Sequence, residues 1–305
     1  ESPLRKVKEF LHCKCPVCGG DAERETDTMD TFMDSSWYFL RYSSGLPENE
    51  PFKKEEVNYW MPVDQYIGGI EHAILHLLYS RFFVKALQDM GFVSFPEPFK
   101  NLLCQGMVIK DGSKMSKSKG NVVNPEDVIR KYGVDTLRLF ILFAAPPELD
   151  LEWAETGIEG TWRFINRIWN FNERIMSYND KGSNEDDVRL EKSINRTIKG
   201  VTGDIERNFQ FNTAIAKMME FTNELSKILD SGKVSRQKLT ESWKDFVKIL
   251  MPFTPHLAEE IWSVNSGRYS LSGEKWPAWK EEIIRDKETV VIVQINGKVR
   301  GKISV

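Results

Sequence analysis

Lys110 to Gly120 reads KDGSKMSKSKG, with four lysines (Lys110, Lys114, Lys117, Lys119) against one acid, Asp111. An apolar run, Leu102 to Ile109, precedes it and predicts a buried strand. Asn124-Pro125-Glu126-Asp127 follows and predicts a helix start, because asparagine caps well and proline suits the first helical position. Small residues let such a loop move, and its ammonium and backbone N–H groups suit a phosphate chain. It is not a P-loop, since G-x-x-x-x-G-K-[ST] spacing is absent. A lysine run alone more often marks a solvated surface loop.

Outward from this loop the pattern alternates. Val63 to Ile67 predicts a short strand, Gly68-Gly69 a turn, and Glu71 to Met90 a helix. That helix is apolar nearly all round (Ile74, Leu75, Leu77, Leu78, Phe82, Phe83, Leu87), which predicts burial. Asp135 is expected to cap a helix from Thr136 to Ala145, which Pro146-Pro147 stops. Strand–helix–strand–helix order predicts half of a parallel α/β sheet. Beyond Leu151 the strands give way to helical spacings: Ile158, Trp162, Ile165, Trp169 and Ile175, then Leu190, Ile194, Ile198, Val201 and Ile205. Further helices are expected over Asn212–Leu229, Arg236–Met251 and Pro255–Val264, making an antiparallel bundle. Thr289–Ile295 and Lys298–Ser304 flank Asn296-Gly297, a strong hairpin signal, and read as the opening of a truncated domain. The expected organisation is a connective segment (1–45), a half nucleotide-binding domain (46–150), a helix bundle (151–288) and the start of a C-terminal domain (289–305).

Composition sets the bounds. The 305 residues are 41% hydrophobic, enough for two or three domains. Lys plus Arg is 42 against 45 Asp plus Glu, a net charge of −3 that excludes a globally basic nucleic-acid binder but not a local basic site. No run of about eighteen apolar residues predicts a membrane span. The opening ESPLRKVKEF lacks a signal-peptide core. Four cysteines, three of them crowded at 13, 15 and 18, exclude a disulfide scaffold and fit a cytoplasmic protein.

Several residues invite chemistry. Gly68 and Gly69 end a strand where ligand crevices form, their missing Cβ atoms admit a nucleotide, and Glu71 is placed to accept ribose hydroxyls. His72 and His76 are spaced to share one helix face with Tyr79, Ser80 and Phe83. They could be satisfied core histidines, pocket residues or two zinc ligands lacking a third. Cys15-Pro-Val-Cys18 is half of a zinc knuckle that makes Cys13, Cys15 and Cys18 candidate ligands of a structural Zn2+. A second C-x-x-C is absent, so either His12 and Cys13 complete a cramped site or further ligands come from another segment or chain. Cys104, on an apolar strand, reads as core. Arg163, Arg167, Asn170 and Arg174 form a stripe opposite Trp162, Ile165 and Trp169, either a solvated face or a contact for nucleic-acid phosphates. His256-Leu-Ala-Glu259-Glu260 is not H-E-x-x-H and reads as a helix start and core.

The string KMSKS, Lys114 to Ser118, is the second signature of class I aminoacyl-tRNA synthetases. YIGGIEHAILHLLY (Tyr66 to Tyr79), RETDTMDTF (Arg24 to Phe32), DSSWY (Asp34 to Tyr38) and CQGMV (Cys104 to Val108) resemble the leucyl branch. So do MPFTPHLAEEIW (Met251 to Trp262) and VQINGKVRG (Val293 to Gly301). The resemblance runs from about residue 21 to the end. It implies the second half of a Rossmann-like sheet followed by an anticodon-binding bundle. It implies leucine activation with ATP and Mg2+, then transfer to the terminal adenosine of tRNA(Leu). By resemblance, Lys114 and Lys117, with Ser116 and Ser118, stabilise the leaving pyrophosphate. The segment Gly68, Gly69, Glu71 and His72 holds the adenosine, Met107 and Val108 lie against the adenine, and Met115 completes the ATP site. His76 lines the leucine pocket.

The family's first signature, H-x-G-H, is absent: the four histidines are His12, His72, His76 and His256, with no pair three apart. No threonine-rich editing pocket occurs, and the insertion often found before the lysine signature is missing. A second subunit or a preceding segment is therefore expected to bring H-x-G-H, the editing domain and part of the leucine pocket. A different class of function, a non-catalytic tRNA-binding or assembly module, retains the fold but gains little from an intact lysine signature and Glu71.

Overall fold

The computed structural model describes residues 2–180, 182–266, 270–285, 290–295 and 298–304, with the backbone alone at 117, 208, 266 and 290–304. Two compact units divide at 105/106.

In the first unit, α1 (Lys8–Leu11) leads into the antiparallel pair β1 (His12–Lys14) and β2 (Asp21–Glu23). Short helices α2 (Phe32–Ser35), α3 (Tyr38–Tyr42) and α4 (Lys54–Trp60) follow. Then come β3 (Tyr66–Gly69), α5 (His76–Asp89) and β4 (Leu102–Gln105), with β3 and β4 parallel and Gly68 opposite Cys104. A parallel bridge, Val63 to Phe99, extends the pairing. The core is small: Phe39, Leu40, Phe52, Val57, Val84 and Phe95 are among its buried members.

Two expectations change here. Gly68-Gly69 belong to the strand, and a 3-10 turn over Ile70–Ala73 delays the helix to His76. Nor is that helix buried all round. Leu77 and Val84 are covered, whereas Ile74, Leu78 and Phe82 are 76%, 58% and 71% exposed.

In the second unit, β5 (Val108–Lys110) pairs antiparallel with β6 (Ser113–Lys114) and parallel with β7 (Leu151–Glu152). The sheet is thus mixed, not purely parallel. The predicted strand over 102–109 breaks at Gly106. Its N–H donates to the Pro147 carbonyl, and a Cβ there would lie 2.2 Å from the Leu149 backbone. Only glycine lets the two chain segments approach this closely.

Helix α6 (Pro125–Tyr132) starts as its sequence predicts, with the Asn124 side chain accepting the Glu126 N–H. Helix α7 (Val134–Ala144) stops before Pro146. Asp135 does not cap it. The carboxylate, 7% exposed, accepts the Leu257 N–H at 2.7 Å and lies 2.9 Å from His256 Nδ1, so it caps a later helix. The His256 side chain itself is 72% exposed and not core.

Helices α8 (Glu155–Met176), α9 (Asp187–Asn208), α10 (Phe211–Ser231), α11 (Arg236–Leu250) and α12 (Pro255–Ser266) build the predicted all-helical region. Their stripes meet in one core that includes Phe164, Ile168, Leu190, Ile198, Met218, Phe221, Phe246 and Ile261. Helix α13 (Glu281–Ile284) precedes the antiparallel pair β8 (Val290–Ile295) and β9 (Lys298–Ser304). The Asn296-Gly297 turn lies outside the described residues. Among the described residues, no helix is long and apolar enough to cross a membrane.

Candidate active site

The lysine stretch is more ordered than a loop of small residues suggests. Asp111 and Gly112 have φ of 55° and 69°, the left-handed pair that a two-residue hairpin turn needs, and aspartate and glycine tolerate it. Ile109 therefore faces Lys114, and Lys110 faces Ser113. The Met115 N–H reaches the Val108 carbonyl at 3.3 Å, and a 3-10 turn runs over Lys117–Lys119. Ser116 and Ser118 hydroxyls are 3.1 Å apart. Lys114 and Lys119 are exposed and Lys110 half-buried. Among the described residues none of these three is in an ion pair. Their charge is free to meet a polyanion. The Lys117 side chain lies outside the described residues.

Met107, at the foot of the hairpin, is fixed through its backbone. Its N–H donates to Asp150 Oδ1 at 2.7 Å and its carbonyl accepts the Leu151 N–H at 2.8 Å. Val108, the next residue, is 40% exposed.

In the first unit, the end of β3 carries Gly68, Gly69 and Glu71. The Tyr66 ring lies over Gly68, 3.0 Å from where a Cβ would stand, and the Glu71 carboxylate folds back over Gly69. His72 sits in the 3-10 turn and His76 begins α5, so they do not share a continuous helical stripe, yet their rings are 6.2 Å apart at 90°.

His76 is 6% exposed and fully engaged. Its Nε2 is 2.7 Å from the Ser35 carbonyl, which can only accept, so Nε2 carries a proton. Neutral Nδ1 then accepts from the Tyr66 hydroxyl at 2.9 Å. Burial pushes the Tyr66 phenol above its ordinary value, which keeps that donor protonated. With both nitrogens occupied, the pair cannot act as zinc ligands. Tyr38, Tyr66 and Phe99 surround the imidazole, while Phe32 meets His72 edge-on at 6.1 Å and stacks on Tyr79. The His72 Nδ1 is buried without a hydrogen-bond partner.

Among the described residues the cysteines are not gathered with enough partners to complete a metal centre. Cys15 and Cys18 lie together in a knuckle, where the Cys18 and Val17 N–H groups hold the Cys15 thiol below its ordinary value. Cys13 is on β1 opposite Ala22, and His12 Nδ1 is 3.7 Å from Glu23. Among the described residues no group of three or more such side chains could hold a metal. Tetrahedral zinc needs four ligands. The expected Zn2+ site is not supported.

The arginine stripe on α8 is partly internal. Arg167 donates to Asn223 at 2.7 Å and to the Thr222 carbonyl at 3.1 Å, and Arg174 to Asp230 at 2.6 Å. Arg163 is exposed. Trp162 is also 43% exposed, so the buried face runs through Ile158, Phe164, Ile168, Phe171 and Ile175 instead.

Sequence reasoning missed Asn121, whose side chain accepts the Ser116 N–H, and Asp150 behind Met107. Gly106 carried a signal, a glycine inside a strand pattern, that points to close backbone approach.

Residues 5–154 match the family model of tRNA synthetases class I (I, L, M and V), and residues 187–305 match the anticodon-binding domain of tRNA ligase. The chain is 53% identical to a leucine–tRNA ligase of Fervidobacterium nodosum and 50% identical to one of Thermotoga maritima, over its whole length in each case. A crystal structure of the ternary complex of Agrobacterium radiobacter K84 LeuRS with tRNA and LeuAMS superposes with a TM-score of 0.85 at 39% identity, covering 100% of this chain and 39% of that one. Fold and signature place this chain among the class I aminoacyl-tRNA synthetases. Within that class, it belongs to the leucyl-tRNA synthetase family. It spans 38% of the length of the curated relatives it matches.

Proposed function

We propose that this chain works in leucine–tRNA ligation, together with a preceding segment or second subunit that carries H-x-G-H and an editing domain. A leucine carboxylate oxygen bonds to the α-phosphorus of ATP, the bond to the bridging oxygen breaks, and pyrophosphate leaves. The adenosine 2′-hydroxyl of tRNA(Leu) then takes the leucyl group and AMP is released. Lys114 and Lys117, with Ser116 and Ser118, meet the charge that develops on the departing phosphates. Donors aimed at developing charge contribute about 10²–10³ in rate each.

Gly68, Gly69, Glu71 and His72 are assigned to the adenosine, and Met107, Val108 and Met115 to the ATP site, with Mg2+ accompanying the nucleotide. His76 acts as a rigid wall of the leucine pocket, since its nitrogens are engaged and its ring is caged by aromatics. Of the arginine stripe, Arg163 is the first choice for tRNA phosphate, while Arg167 and Arg174 would have to exchange internal partners. The exposed apolar face of α5 is the surface we assign to the missing half of the enzyme. The domain limits are kept at 1–45, 46–150, 151–288 and 289–305, and the location as cytoplasmic.

The observation that carries the reading is an intact lysine hairpin in a chain 50–53% identical throughout to leucine–tRNA ligases. The test is ATP–pyrophosphate exchange by this chain together with the segment or subunit that carries H-x-G-H, across a panel of amino acids. Exchange that depends on leucine alone is expected. Binding of tRNA(Leu) without any exchange would favour the non-catalytic module instead.

A further inference from the structure

We propose that Asn121 is the positioning residue of the lysine hairpin, a role that rests on the function proposed above. Two strands and one turn fix Lys110 to Lys114, and the Met115 N–H reaches the Val108 carbonyl at 3.3 Å, but nothing in that ladder fixes the residues after Met115. Asn121 does so from the far end of the signature. Its Oδ1 accepts the Ser116 N–H at 2.9 Å. Its Nδ2 faces the carbonyls of Lys110, Ser113 and Lys114 at 3.4, 3.5 and 3.4 Å.

These three contacts are long, so no single one is a strong hydrogen bond. Together they place one amide where three carbonyl dipoles converge, and an N–H pair offsets the repulsion among them. Gly120, at φ 66°, turns the chain so that Asn121 can return to the hairpin. The Lys119 N–H closes the interior on the Ser116 carbonyl at 3.1 Å. The segment from Ser116 to Asn121 is thus a small closed loop whose two ends are joined by one side chain. Asn121 touches no substrate in this role; it sets where the backbone of the signature stands relative to β5 and β6.

Two substitutions separate its two functions. Asn121→Ala removes both the acceptor and the donors. Asn121→Asp keeps an acceptor for Ser116 but turns an oxygen toward the three carbonyls, which drives the loop off the hairpin. Amide hydrogen exchange without substrate reads the structural claim. At Ser116 it should quicken about tenfold in Asn121→Ala, and at Lys114 and Met115 in both variants.

ATP–pyrophosphate exchange by the chain together with the segment or subunit that carries H-x-G-H reads the positioning claim. The kcat/KM for ATP should fall about 10²-fold in Asn121→Ala, the effect of a misplacement near 1 Å. The KM for leucine and the melting temperature should stay near the wild-type values. Unchanged Ser116 exchange in Asn121→Ala would overturn the proposal, as would equal losses in the ATP and leucine constants. If the wild-type protein shows no leucine-dependent exchange, the function fails, while the hydrogen-exchange comparison still decides what Asn121 does.

Discussion

Helices α5 and α10 carry similar apolar content and end in opposite states. On α10, Ile215, Met218, Phe221, Leu225 and Ile228 are all buried against neighbouring helices. On α5 only His76, Leu77, Ser80 and Val84 are buried, and Leu78 and Phe82 face outward. Apolar periodicity announces a helix and the width of its sticky face; it does not say which partner covers that face. In the bundle the partners are the adjacent helices of the same chain. For α5 the proposed cover is the preceding segment or second subunit; the chain spans 38% of the length of the curated relatives it matches.

The sharpest contrast is between two phenylalanines. Phe221→Ala should cost about 3–5 kcal/mol in denaturant unfolding, whereas Phe82→Ala in this chain should stay within about 0.5 kcal/mol. With the proposed preceding segment or second subunit in place, Phe82→Ala should rise to about 1.5–3 kcal/mol, the value of burying that side chain. An equal, small cost in both contexts would break the assignment of the α5 face.

Gly106→Ala comes next. The new Cβ would collide with backbone at Leu149 and not with a side chain that can swing away, so a loss of about 1–3 kcal/mol is expected by the same measurement. Asp135→Ala should cost about 1–2 kcal/mol, because it uncaps α12 from a buried position. Thermal melts would read it, and an unchanged midpoint would show that α12 is capped otherwise.

The smallest effect concerns the ionic side of α5. Arg81 and Lys85 bind Glu97 at 2.8 Å and hold its carboxyl down to about 2, below the ordinary 4.5. The folded state therefore binds that proton less readily than the unfolded chain. The stabilisation is fully present above about pH 5 and is lost as pH falls toward 2. Partly exposed pairs contribute only about 0.2–1 kcal/mol. Glu97→Gln should flatten this part of the acid limb, and an unchanged pH profile would show that the pair contributes nothing.

The bundle was legible because its helices bury stripes that lie within single segments. The start of α6 was legible for the same reason: Asn124 and Pro125 act on their own helix. Long-range partners were not. Asp135 caps a helix more than a hundred residues away, and His76 is held by Ser35 and Tyr66 from separate elements. The Asp111-Gly112 turn could have been read as a hairpin signal, but the lysine run around it drew the reading of a mobile loop. The lysine signature was plain in sequence, while Asn121 was not, since its role depends on three carbonyls that only the folded hairpin brings together.

The central claim is that the lysine hairpin supports adenylate chemistry on leucine. The direct measurement is leucine-dependent ATP–pyrophosphate exchange by Lys117→Ala, made with the chain joined to the proposed segment or subunit that carries H-x-G-H. The account predicts a loss of about 10²–10³ in kcat, with the KM for leucine little changed. Near-normal exchange in that variant would contradict it.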